Sequence, residues 1–177
     1  MKKRHYIFLI IILAGVVWIL FRPDKKHNQN FQVQRESSEP QFTKEGSIYF
    51  LSYGTMDTLS VLDIEIVENS DDIMRGLMYR SGLKPDQGMF FIFSEEEEQS
   101  FWMKNTKISL DIIFIDSDLS IVHISRHTIP YSKDPIPSIY PAKFVVEVNA
   151  GYCKRHQIKP NDYIRYTTNE LSLAIRD

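Results

Sequence analysis

Residues 110–125 read LDIIFIDSDLSIVHIS. Two apolar runs, LDIIFID (110–116) and LSIVHIS (119–125), meet at Asp116-Ser117-Asp118, a cluster of turn-forming residues. This arrangement predicts a β-hairpin, and it sets the reading of the rest of the chain. SIYFLS (47–52), GMFFIF (88–93), FVVEVNAG (144–151) and YIRYTT (163–168) also read as strands. In LSVLDIEIVE (59–68), Leu62, Ile64 and Ile66 alternate with Val61, Asp63, Glu65 and Val67, so one face is apolar.

Between the strands, NSDDIMRGLMYRSGL (69–83) predicts a helix. Asn69 or Ser70 caps it, Asp71 and Asp72 suit its positive end, and Ile73/Leu77 and Met74/Met78 form an i, i+4 stripe. Gly82 ends it, and Gly76 inside it costs about 1 kcal/mol relative to Ala. SEEEEQS (94–100) reads as a solvated loop or helical turn, and SFWMKNT (100–106) as an extended segment. Residues 127–143, with prolines at 130, 135, 137 and 141, read as a long irregular loop. YCKRHQ (152–157) reads as a short helix. No βαβ alternation is present. The expected class is α+β and β-rich, a mostly antiparallel sheet curled into a small barrel with one main helix packed on it.

The domain occupies residues 46–177. Ahead of it, KKRH (2–5) and YIFLIIILAGVVWILF (6–21) form a membrane-targeting element. At helical rise the run covers about 24 Å against a hydrocarbon core of roughly 30 Å, a gap that snorkelling cations and bilayer thinning close. A cleavable signal peptide is the competing reading. It wants small residues where Trp18-Ile19-Leu20-Phe21 stand, and Val16 occupies the place of a lipidated Cys in LAGV. The expectation is an N-terminal anchor at residues 1–21 contacting the membrane through 6–21, with the rest extracytoplasmic, on the periplasmic or cell-surface side. Cleavage would leave a secreted protein. Residues 22–45 are polar and read as a disordered linker.

The chain is 43% hydrophobic, enough for a real core. Setting aside Lys2, Lys3 and Arg4 with residues 1–21 leaves about 18 Lys+Arg against 23 Asp+Glu, a formal charge near −5, which argues against nucleic acid. Cys153 stands alone, so no intramolecular disulfide and no paired-Cys metal site can form. Dinucleotide and phosphate-loop signatures are missing, and no cofactor or metal is expected.

Several polar residues stand out against this background. As a strand, FWMKNT would put Trp102, Lys104 and Thr106 on one face and Asn105 on the other. A ring beside an ammonium and a hydroxyl can bind by stacking and charge-assisted hydrogen bonds. The same residues can equally fill core and close a turn. Asp111 and Glu147 each interrupt an apolar run and must be paired, face outward or line a cavity. Such carboxyls can do acid–base work on a glycosidic bond, or simply pair. Arg75 and Arg80 are either their partners or, with Lys104, an anion-binding triangle. His123 and His127 share a strand face at a spacing too wide for easy shared metal coordination. Cys153 with His156 suggests a thiol–imidazole pair, yet i, i+3 neighbours are commonplace. Glu95 to Glu98 form a solvated patch, with weak divalent-cation binding as the sharper alternative.

RGLMYR (75–80), GMFFIF (88–93), FWMKNT (101–106), LDIIFID (110–116) and VVEVNAG (145–151) together resemble, in order and spacing, the domain of unknown function 192. The resemblance covers about residues 60–166 and implies a compact β-rich fold with a helix packed on a barrel-like sheet. Its polar signature falls on Arg75, Arg80, Lys104, Asn105, Thr106, Asp111 and Glu147, with Trp102 and Gly151. Cys153, His123 and His127 lie outside it.

The reading favoured by these residues is non-enzymatic: an anchored extracytoplasmic module for a small polar or anionic ligand, such as an envelope saccharide. Trp102 would stack, Lys104 and Arg80 would meet negative charge, and Asn105 and Thr106 would hydrogen-bond. Arg75 and Asp111 complete the candidate ligand-binding set. One alternative is a glycan hydrolase using Asp111 and Glu147. Another is a scaffold for a partner protein.

Overall fold

Every residue of strand β4, Leu110–Ile115, is buried. A strand with neighbours on both sides and cover on both faces has no polar face to show, and this explains the unbroken apolar run. β4 pairs antiparallel with β5 (Ile121–Ser125) and with β6 (Ile136–Asn149). A computed structural model describes residues 39–169. The other strands are β1 (Gly46–Leu51), β2 (Thr58–Val67), β3 (Gln87–Phe101) and β7 (Tyr163–Thr168).

The seven strands form one sheet in the order β5-β4-β6-β3-β2-β1-β7. All pairings are antiparallel except β2 with β3, which is parallel because the chain crosses over through helix α1 (Ser70–Arg75). The sheet curls into a half-barrel. Its two outermost strands come together at one point, where Ser120 bridges Tyr163, Ile121 N donates to Asp162 O (2.8 Å) and Ile164 N to Leu119 O (2.9 Å). The concave side holds one core, including Phe50, Leu62, Phe90, Ile113, Val146 and Tyr152. The convex side holds a second, including Leu77, Met89, Phe91, Met103, Ile112 and Val145.

Three expectations need correction. There is no main helix over 69–83. α1 has six residues, capped by Asn69 Oδ1 accepting from Asp72 N at 2.9 Å, and a second short helix, α2 (Tyr152–Arg155), has four. α1 stops at Gly76, whose φ of 47° and ψ of −134° break the helix and let Leu77 drop into the convex core. The glutamate run is not a loop or helical turn. It lies within β3, where Glu97 pairs with Ala142 and Glu98 with Pro141. The proline-rich segment is accordingly strand from Ile136 onward. β4 reaches only Phe144–Asn149 of β6, so this outer arm has a single partner and its free side tolerates Pro137 and Pro141.

Beyond Phe101 the chain is no longer extended. Met103, Lys104, Asn105 and Thr106 form a turn closed by Thr106 N donating to Met103 O (3.0 Å), with Met103 fully buried beneath it. The segment 1–21 lies outside the described residues. Among the described residues no helix is long and apolar enough to cross a membrane. Within 22–45, Thr43 N donates to Glu65 Oε1 (2.8 Å), and Glu39 Oε1 accepts from Ser81 Oγ (2.7 Å).

Candidate functional site

On the convex side, α1, β3 and the turn after β3 enclose a cavity of about 270 Å³. Phe91, Phe93 and Phe101 wall it, Trp102 stands at its edge with 43% of its surface exposed, and Met74 and Met78 add thioethers. Period-2 alternation in β3 puts Met89, Phe91 and Phe93 on this face. Phe101 meets Phe91 edge-on, at 5.2 Å and 87°. Glu147 also lines this cavity. It sits on β6 directly across from Met89 of β3 and Ile112 of β4, both in the convex core.

Glu147 is 4% exposed, and its Oε2 has no hydrogen-bond partner among the described residues. Burial alone pushes its carboxyl up to about 8, which favours the protonated acid at neutral pH. Gly76 lies over it. A Cβ at Gly76 would come within 3.6 Å of Oε2 and 3.4 Å of Phe91 Cζ. The arrangement offers flat apolar surface and one hydrogen-bonding acid in a partly desolvated hollow.

Asp111 is placed quite differently. It pairs with Val148 of the concave core, so it faces the opposite side of the sheet from Glu147. It is fully buried. Oδ2 accepts from Gly151 N (3.0 Å) and Cys153 N (3.1 Å), and Oδ1 from His127 N (3.0 Å). Gly151, at φ 83°, makes the left-handed turn that brings its own amide and that of Cys153 to it. Asp111 is thus a structural acceptor that fixes the entry to α2. It does not join a ligand site on the convex side, and no acid–base pair with Glu147 can act across the sheet.

Neither arginine partners Asp111 or Glu147. Arg80 and Glu65 form a buried ion pair at 2.7 Å, and Arg75 meets Asp72 at 3.7 Å. Arg75 and Arg80 line a second hollow of about 170 Å³ together with Glu45, Glu65 and Asp72. Lys104 lines neither hollow, so the anion-binding triangle does not form. Its ammonium lies 4.9 Å from the Trp102 ring centroid. Asn105, at φ 57°, is engaged with Tyr79: Tyr79 N donates to Asn105 O (3.0 Å), and Asn105 Nδ2 to Tyr79 Oη (2.8 Å). Thr106 lines the first cavity while its hydroxyl donates to Lys104 O (3.3 Å). Of the eight residues singled out, Arg75, Trp102, Thr106 and Glu147 gather at this cavity.

Two structural partners escaped the sequence reading. Glu65 was legible only as the polar side of an alternating strand. The aromatic wall of Phe91, Phe93 and Phe101 carried a signal in its spacing within GMFFIF and SFWMKNT. Elsewhere, burial and the nearby Asp111 raise the Cys153 thiol far above its ordinary range, so it is no activated nucleophile. His156 lies against the Tyr152 ring (4.4 Å between centroids). His123 stacks on Phe114, and burial lowers its pKa.

The fold and site define a small curled-sheet domain with a cavity on its convex face. The chain belongs to the family of the domain of unknown function 192, an "Uncharacterized ACR", whose pattern matches residues 53–166. A proposed transcription regulator from Sinorhizobium meliloti 1021 is similar in structure, with a TM-score of 0.66 and 33% identity. The match covers 72% of this chain and 98% of that one. A protein of unknown function from Novosphingobium aromaticivorans DSM 12444 is similar at a TM-score of 0.63 and 34% identity, over 67% and 83% of the two chains. No curated protein matches the chain.

Proposed function

We propose that this protein is an anchored, extracytoplasmic module that binds a small polar ligand over Glu147, with an envelope saccharide as the fitting class. The observation that carries this reading is a buried carboxyl without a hydrogen-bond partner in a cavity walled by aromatic rings. Sugars combine flat C–H faces, which stack on such rings, with hydroxyls that need polar partners. About 270 Å³ lies near the lower end of ligand pockets and suits a single ring. A neutral polar ligand fits better than an anion. Arg75, the one cationic lining residue, already meets Asp72, and Arg80 is held by Glu65. The hydrolase alternative lacks support because its two carboxyls face opposite sides of the sheet. The charge near −5 outside residues 1–21 argues against carrying over the Sinorhizobium protein's proposed role.

The test uses the full chain with Trp18→Phe, which leaves Trp102 as the sole tryptophan. Its fluorescence is followed while simple sugars, nucleotides, lipid head groups and divalent ions are added. A saturable change with sugars, weakened by Glu147→Met at unchanged stability, is the expected result. Silence toward every class would favour the scaffold alternative.

A further inference from the structure

We infer that the cavity takes an acetamido sugar, whose amide carbonyl accepts a hydrogen bond from the Glu147 carboxyl while its methyl and ring lie on the aromatic wall. This rests on the saccharide reading above and narrows it to one ligand class.

A carboxyl that is 4% exposed and has an oxygen without a partner is costly, and a polar group that hydrogen-bonds the carboxyl from the cavity offsets part of that cost. What the partner must be follows from the surroundings. β3 and β4 present Met89, Phe91 and Ile112 to this face, none of them charged. The charged groups on the elements packed at this face are Arg75 with Asp72 on α1, and Glu65 with Arg80 across Met89. Each of these is paired, and none forms an ion pair with Glu147.

A carboxyl in such a setting keeps its proton, as burial of Glu147 indicates, and then serves as a hydrogen-bond donor. A carbonyl oxygen is the acceptor best suited to it. A cationic amine would bring a second positive charge beside Arg75 into a low-dielectric hollow. Phe91, Phe101 and Met78 supply apolar surface that a hydroxyl would waste and an acetamido methyl would use. Gly76 contributes by omission, because no side chain there stands between the helix end and the carboxyl.

The test compares N-acetylglucosamine, glucosamine and glucose on the full chain with Trp18→Phe, reading Trp102 fluorescence at about pH 6, where Glu147 holds its proton. N-acetylglucosamine is expected to bind at least ~10-fold more tightly than the other two, a difference one well-placed polar and apolar contact supplies. Its affinity should fall as pH rises through about 8. Glu147→Gln keeps a neutral donor, so it should retain binding and lose that pH dependence, whereas Glu147→Met should lose binding. Tighter glucosamine binding, or affinity that grows with pH, would make Glu147 a counter-ion and overturn the inference while leaving the saccharide reading intact. Equal affinity for glucose would remove the acetamido assignment alone. Silence toward all three sugars would remove both. The comparison of sugars uses unaltered Glu147, so it stands even if a variant fails to fold.

Discussion

Asp111 and Glu147 lie one pairing step apart on adjacent strands and face opposite sides of the sheet. Asp111 is across from Val148, and Ile112 is across from Glu147. The concave carboxyl is saturated by three backbone amides, and the convex one has an oxygen left without a partner. Two acids that look alike in sequence therefore do different work, and substitutions should separate them.

Glu147 should make the domain less stable as pH rises. Its folded pKa of about 8 lies above the ordinary 4.5, so the neutral form is the one the fold favours. The stability it supplies is complete below 4.5 and is lost progressively as pH climbs through about 8. The shift corresponds to about 5 kcal/mol over that window. Denaturant unfolding of the parent and Glu147→Gln between these limits should show the slope in the parent and its disappearance in the variant. Parallel profiles would mean that the carboxyl is not desolvated.

Asp111→Asn should be costly. An amide nitrogen in place of either oxygen would face backbone N–H groups of His127, Gly151 or Cys153. Losing charge-assisted acceptance in a fully buried site should destabilise by about 3 kcal/mol or more. A thermal or urea melt measures it, and a change below about 1 kcal/mol would contradict this role.

The Arg80–Glu65 pair calls for a double-mutant cycle. Arg80→Met strands a buried carboxylate and should cost about 3–5 kcal/mol. Adding Glu65→Met should recover at least part of the loss, because both charges are then gone and only the Thr43 amide loses its acceptor. Strict additivity of the two single losses would show that the pair is not coupled.

Gly76→Ala should destabilise, in contrast to the usual gain of Ala inside a helix. At φ 47° and ψ −134° the backbone lies where side chains are strained, at a cost of about 1–3 kcal/mol. The new Cβ would also rest against Phe91 and the Glu147 carboxyl, so sugar binding should weaken beyond what stability explains. Equal or greater stability in Gly76→Ala would contradict this backbone reading.

The strands were legible because period-2 alternation survives wherever one face is covered differently from the other, as in Leu62, Ile64 and Ile66 of β2. The 69–83 segment misled because its i, i+4 stripe is genuine while the backbone turns at Gly76, and stripe spacing does not reveal φ. The glutamates of β3 looked like loop because a two-stranded arm open to solvent imposes no apolar pattern. Glu65 belongs to the polar side of the alternation in β2, but that face is covered and holds Arg80 against it. That Asp111 and Glu147 differ in face depends on the β4–β6 register, which neither run encodes by itself.

The contact between Ser120 and Tyr163 has a consequence for the exposed edges of the sheet. Asp162 rivets it, with Oδ1 accepting from Tyr53 N and Oδ2 from Lys159 N, both at 2.9 Å. A domain without a disulfide that ties its two outer strands together at one point leaves less open edge there as a template for strand-by-strand polymerisation. Loosening that rivet would free two strand edges for pairing with neighbouring molecules.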